Sequence, residues 1–176
     1  MRINNSMFGR IQLQHLAVTN LIQWGDHFSV EHPAIDAQHK AIFDLGTRVY
    51  ENWRGGGGAD VLRPAVDKLA GLLQAHFAYE EKLLAEIGYV DLDAHAAEHR
   101  SMLDNMERMQ QRFRNLKADS DSPRGLLAPS WSIMQFILGF TIGHVMSSDM
   151  AYCETLSASR QAAPNPAIAG HPNPAC

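Results

Sequence analysis

Four segments of this chain repeat an apolar side chain every three or four residues, and histidine or a carboxylate interrupts the repeat in all four. Positions 35, 39, 42, 46, 49 and 53 read Ile, His, Ile, Gly, Val, Trp. Positions 62, 66, 69, 73, 76, 80, 83 and 87 read Leu, Val, Leu, Leu, His, Glu, Leu, Ile. Positions 92, 95, 99, 102, 106, 109 and 113 read Leu, His, His, Met, Met, Met, Phe. In the last segment Ile133, Ile137, Phe140 and His144 fall on one face. Residues three and four apart share a face of an α-helix, so His39, His76, Glu80, His95, His99 and His144 are expected to point into a core. One histidine on such a face is ordinarily a core histidine with a local partner. Five with a carboxylate need more partners than an apolar core supplies.

The punctuation between the repeats sets the architecture. Pro33 suits the first turn of a helix that ends at about Trp53, before a run of glycines. A second helix is expected from about Asp60 to Ile87, closed by Gly88, and a third from about Val90 to Leu116. The fourth begins at Ser122–Pro123 or at Pro129 and runs to about Leu156. No repeat of period two marks a strand. The expected fold is all-α, an up-down-up-down four-helix bundle. Trp24 and Phe28 are expected to anchor the loop before the first helix. Residues 1–23 form an extension of uncertain order, 24–156 the domain, and 157–176, rich in Pro and Ala, a disordered tail.

Composition narrows the function. The chain has 176 residues with 45% hydrophobic and 19% charged, which indicates a globular domain with a sizeable core. A net charge of −4 without a basic cluster argues against nucleic acid as a partner. The stretch WSIMQFILGFTIG is too short to span a membrane, and the N-terminus lacks the apolar run of a secretion signal. Two cysteines, Cys153 and Cys176, make neither a disulfide framework nor a thiolate site. A cytoplasmic monomer is expected, with Cys153 and Met102, Met106 and Met109 serving as packing.

A metal would resolve the polar core, because neutral imidazoles and ionised carboxylates become ligands. The metal-free form is then expected to be the less stable one. Imidazole with carboxylate suits iron, zinc or manganese, and ligand type alone does not choose. Asp149 is not placed by spacing. It lies about 140° around an ideal α-helix from His144, which by itself suggests an exposed acid.

Taken in order, His39, His76-x-x-x-Glu80, His95-x-x-x-His99 and His144-x-x-x-x-Asp149 resemble the hemerythrin family. The words WGDHFSV, IDAQHKAIFDL, HFAYEEKLL, GYVDLDAHAAEH and HVMSSDMAY are similar to its bacterial branch, over Trp24 to Tyr152. The resemblance implies two iron ions per chain. His95, His99 and His144 would hold one and His39 and His76 the other. Glu80 and Asp149 would bridge them together with an oxo or hydroxo group. Molecular oxygen would bind at the open position of the iron held by His39 and His76, with Phe140 and Thr141 lining the pocket. The implied function is reversible oxygen binding for storage or delivery to oxygen-requiring enzymes, without catalysis. The alternatives are an oxygen or redox sensor acting through a partner protein, and a di-iron peroxidase or oxidase.

The sequence also departs from the family. Trp-Leu is common there at the positions of Phe140 and Thr141, so the smaller, hydroxylated Thr141 is expected to open the pocket and speed autoxidation. In SVEHP, Glu31 stands where a glycine often follows the valine. Glu31 and His32 are expected to be loop residues, and Glu81 a solvated neighbour of Glu80. His15, His27 and His171 receive no role.

Overall fold

The computed structural model describes residues 23–55, 59–115 and 135–162. A 3-10 turn, Asp26–Phe28, precedes α1 (Pro33–Arg54), α2 (Ala59–Glu86) and α3 (Leu92–Asn115). The last element, α4, is helical throughout residues 135–162, but its winding changes along its length. It turns as a π-helix over Gly139–Asp149, as a 3-10 helix over Met150–Tyr152, and as an α-helix over Cys153–Ala162.

Neighbouring helices run antiparallel. His39 and His32 of the first segment meet His76 and Tyr79 of α2. Along α2 and α3, Arg63 bonds the Phe113 carbonyl while Glu81 meets His99. Across α3 and α4, Glu98 meets Ser148. Between α1 and α4, Gly46 faces Ile137, where an added Cβ would lie 3.1 Å from the Ile137 side chain. This is the expected up-down-up-down bundle. Among the described residues no helix is long and apolar enough to cross a membrane.

The helix ends follow local chemistry. Gly88, at φ 71°, closes α2 in a Schellman motif, in which Tyr89 N–H donates to Leu84 O at 2.9 Å and Gly88 N–H to Ala85 O at 3.2 Å. Ahead of α1, the Asp36 carboxylate accepts from Ser29 Oγ at 2.7 Å and from Val30 N–H at 2.9 Å. Glu31 sits in that loop at φ 56°, the left-handed region that favours glycine, which accounts for the glycine common there in the family. Arg160 of α4 bonds the Glu31 carbonyl and approaches its carboxylate at 3.5 Å. That anchor carries α4 past the expected end at Leu156. Ser157 to Ala162 are helical, a correction to the tail boundary. The start of α4, with Ile133, lies outside the described residues, as do residues 1–22 and 163–176.

The apolar core falls into two clusters. One contains Phe28, Ile42, Phe43, Leu73, Phe77, Met106, Met109, Phe113, Ile137, Phe140 and Val145 among others. The other contains Val30, Ile35, Leu84, Tyr152, Cys153 and Leu156. Trp24 packs on the first cluster, edge-on to Phe43 at 5.6 Å, so the expected anchors hold. Cys153 is buried as expected, but it is disulfide-bonded rather than a simple packing thiol, and the chain's other cysteine, Cys176, lies outside the described residues.

Candidate metal centre

Between the two apolar clusters lies a polar layer. Along α1, His39 falls between Ile35 of one cluster and Ile42 of the other. On α2, His76 and Glu80 fall between Leu73 and Leu84, and on α4, His144 and Asp149 fall between Phe140 and Tyr152. With His95 and His99 of α3, these are the buried polar residues among those described, each at most 4% exposed. Six are the positions that the apolar stripes single out, and the seventh, Asp149, is the one that the family resemblance adds.

Asp149 joins the site through the π-helical winding of α4. The i→i+5 hydrogen-bond pattern of a π-helix brings residues five apart into register, as α-helical winding does for residues four apart. Asp149 Oδ1 therefore lies 3.1 Å from His144 Nε2, and Asp149 Oδ2 lies 3.2 Å from His39 Nε2 on the opposite side. The exposed acid that α-helical spacing suggests is instead fully buried.

The seven residues form two groups with converging ligand atoms. Glu80, His95, His99, His144 and Asp149 make one, and His39, His76 and Asp149 the other. Asp149 belongs to both. Glu80 also reaches across, with Oε2 at 3.2 Å from His76 Nε2 and 3.5 Å from His99 Nε2.

Hydrogen bonds behind the rings fix the tautomers of two histidines. His99 Nδ1 lies 2.8 Å from Glu81 Oε1, and His144 Nδ1 lies 3.2 Å from Glu98 Oε2. A carboxylate accepts and does not donate, so both Nδ1 atoms carry a proton, and in the neutral ring each Nε2 is left with a lone pair. Those two Nε2 atoms face each other at 3.0 Å. Both oxygens of Glu80 and of Asp149, together with His95 Nε2, are buried there without a hydrogen bond. Acceptors that converge on one another without donors are repulsive unless a cation lies among them, so the donor set fits metal ions.

Protonation in the metal-free cluster follows the same logic. Burial lowers the pKa of His76 to about 3 and of His99 to about 2, against the opposing charge of Glu80. His95 differs. Burial works against its charged form, but the Glu80, Asp149 and Glu98 carboxylates outweigh it and raise the pKa. Glu80 is raised by burial, yet the approach of His95 and the charge of His76 prevail and hold it below the usual range. Burial, then the charges of Asp149 and Glu80, push the Tyr152 phenol far above its ordinary value, so it stays neutral. The bond from Ser148 is the largest influence on Glu98 and keeps it low.

Aromatic rings wall the cluster. Phe77 stacks on His99 with centroids 3.9 Å apart and planes at 11°. Phe140, 2% exposed, stands about equally far from three of these histidine rings, at 6.1 Å from His39, 6.1 Å from His76 and 6.0 Å from His144. A cleft of 370 Å³ between α3 and α4 reaches Phe140 and His144 from the outside, past Met102, Phe136, Gly139 and Gly143. Thr141 follows Phe140 in the π-helical run, and its side chain lies outside the described residues.

Sequence reasoning missed the residues behind the rings. Glu81 is not simply solvated, since its carboxylate is 38% exposed and bonds His99. Gln38, Glu98 and Ser148 sit beside ligand positions in the sequence, but their partners are on other helices. Only the pairing of helices reveals them. The remaining minor expectations hold: Glu31 and His32 are in a loop, and Met106 and Met109 fill the core with Met102 packed against it.

Comparison with known proteins agrees with this geometry. Residues 32–150 match the profile of the family described as Hemerythrin HHE cation binding domain. The chain is 25% identical over 134 residues to the bacteriohemerythrin of Clostridium acetobutylicum, covering 74% of this chain and 98% of that one. It is 26% identical over 123 residues to the bacteriohemerythrin of Methylococcus capsulatus, covering 70% and 86%. It is 22% identical over 130 residues to the myohemerythrin of Theromyzon tessulatum, covering 74% and 89%. A match over residues 32–150, on the segment that carries the buried polar layer, places this chain in the hemerythrin family.

Proposed function

We propose that the chain binds oxygen reversibly at a centre of two iron ions, for storage or delivery, and does not turn oxygen over. The observation that carries this reading is the split of the buried cluster into a group with three histidines and a group with two, sharing Asp149. His95, His99 and His144 would hold one ion, and His39 and His76 the other, with Glu80 and Asp149 between them. The group with fewer histidines would be the one with room for oxygen. Two ferrous ions held there would supply the two electrons that reversible oxygen binding needs.

The chain's own residues favour holding over turnover. Five neutral imidazoles against two carboxylates stabilise the ferrous state better than a carboxylate-rich set. Phe140 and Phe77 pack apolar surface against the histidine rings, which would slow the protonation that makes oxidation irreversible. Tyr152 remains a neutral phenol beside Glu80 and adds no charge.

The test is a visible spectrum of anaerobically reduced, iron-loaded protein, taken before oxygen, with oxygen, and after oxygen is stripped. A charge-transfer band that appears with oxygen and disappears on stripping is expected. Direct passage to a stable ferric spectrum would contradict the carrier reading and favour a redox sensor or an enzyme.

A further inference from the structure

The two groups of histidines differ in what stands behind them. In the first group, Glu81 Oε1 backs His99 at 2.8 Å and Glu98 Oε2 backs His144 at 3.2 Å. Ser148 Oγ donates to that same Glu98 oxygen at 2.6 Å and fixes its position. In the second group, the neutral amide oxygen of Gln38 backs His76 at 3.1 Å. His39 Nδ1 is buried with no hydrogen-bond partner. Two carboxylates therefore stand behind one group, and a single amide stands behind the other.

A carboxylate accepting the Nδ1 proton draws it from the ring, raises electron density at Nε2 and locks the ring's orientation. An amide oxygen does this more weakly, and an unpartnered Nδ1–H does not do it at all. We infer that Glu81 and Glu98 are positioning residues that make the place facing His95, His99 and His144 the tighter metal position, filled first, and leave the place facing His39 and His76 as the weaker one, filled second. The inference rests on the metal-centre reading above and adds to it an order of filling. That order keeps the weaker position, with its open coordination site, as the labile end of the centre. Neither glutamate is a ligand in that reading. Both are partly exposed, at 38% and 51%, so replacing them leaves the core packing in place.

The probe is cobalt(II), added stepwise and anaerobically to the metal-free full-length chain against a competing chelator. Its visible bands report each binding step. The wild-type chain should show two separated steps. Glu81→Gln and Glu98→Gln should each weaken the first step by about 10–100-fold and leave the second nearly unchanged. Ser148→Ala should act in the same direction and more weakly. Gln38→Glu should tighten the second step alone, by roughly tenfold, a gain that a purely structural role would not produce. Thermal melting of the metal-free variants checks that each is folded. If the glutamine variants weaken both steps equally, or neither, the inference is overturned while the metal centre stands. If the wild-type chain takes up no cobalt, both fall together.

Discussion

At His99 and His144, two ring nitrogens that both carry lone pairs stand 3.0 Å apart in a buried layer. Hydrogen bonding within the chain does not relieve that contact, because Glu81 and Glu98 already hold the ring protons on the other side. The same residue-level reasoning applies to Phe140. Its ring fills the space beside three of the clustered histidine rings and lines, with His144, the cleft between α3 and α4. Phe140→Ala is therefore expected to cost about 3–5 kcal/mol of stability, as other buried phenylalanine truncations do. It should also speed autoxidation of the oxygenated protein, by widening the access from the cleft to the site. Chemical denaturation measures the first effect and the decay of the visible band measures the second. A loss below about 1 kcal/mol, with an unchanged decay rate, would show that Phe140 neither packs nor shields the centre.

At the scale of the element, the winding of α4 decides the site. His144 and Asp149 share it because residues Gly139–Asp149 are π-helical, while Ser148, the α-helical partner by spacing, turns outward to Glu98. Exchanging the two, as S148D together with D149S, should remove a shared carboxylate and lower bound iron from two ions per chain toward one. Retention of two ions, measured by elemental analysis, would mean that α4 rewinds freely to an α-helix. This element also marks the limit of what the sequence makes legible. The stripes on α1, α2 and α3 place His39, His76, Glu80, His95 and His99 because α-helical periodicity is regular and the apolar residues around them report it. His144 follows from Ile137 and Phe140 in the same way. Asp149 does not follow, because no composition or capping signal distinguishes π from α winding in GFTIGHVMSSD. Only the family's spacing places it at the site. Glu81, Glu98 and Gln38 were missed for a different reason. Their roles exist only between helices, and single-helix periodicity places them merely off the stripe.

On the scale of the whole molecule, two apolar clusters close over a polar layer to which all four helices contribute. The bundle thus gathers the buried polar residues from α1 to α4, and no fragment carries the full set. Arg160 ties the end of α4 back to the loop before α1, at the same end of the bundle as the cluster containing Tyr152 and Leu156. The layer is proposed to hold two iron ions in a three-plus-two arrangement of histidines. The most direct measurement is the iron content of protein reconstituted with ferrous iron and then desalted. The account predicts two iron ions per chain in the native sequence. It also predicts loss of both the stoichiometry and the visible oxygen-dependent band in Glu80→Ala. No bound iron, or two ions retained unchanged when Glu80 is removed, would contradict it.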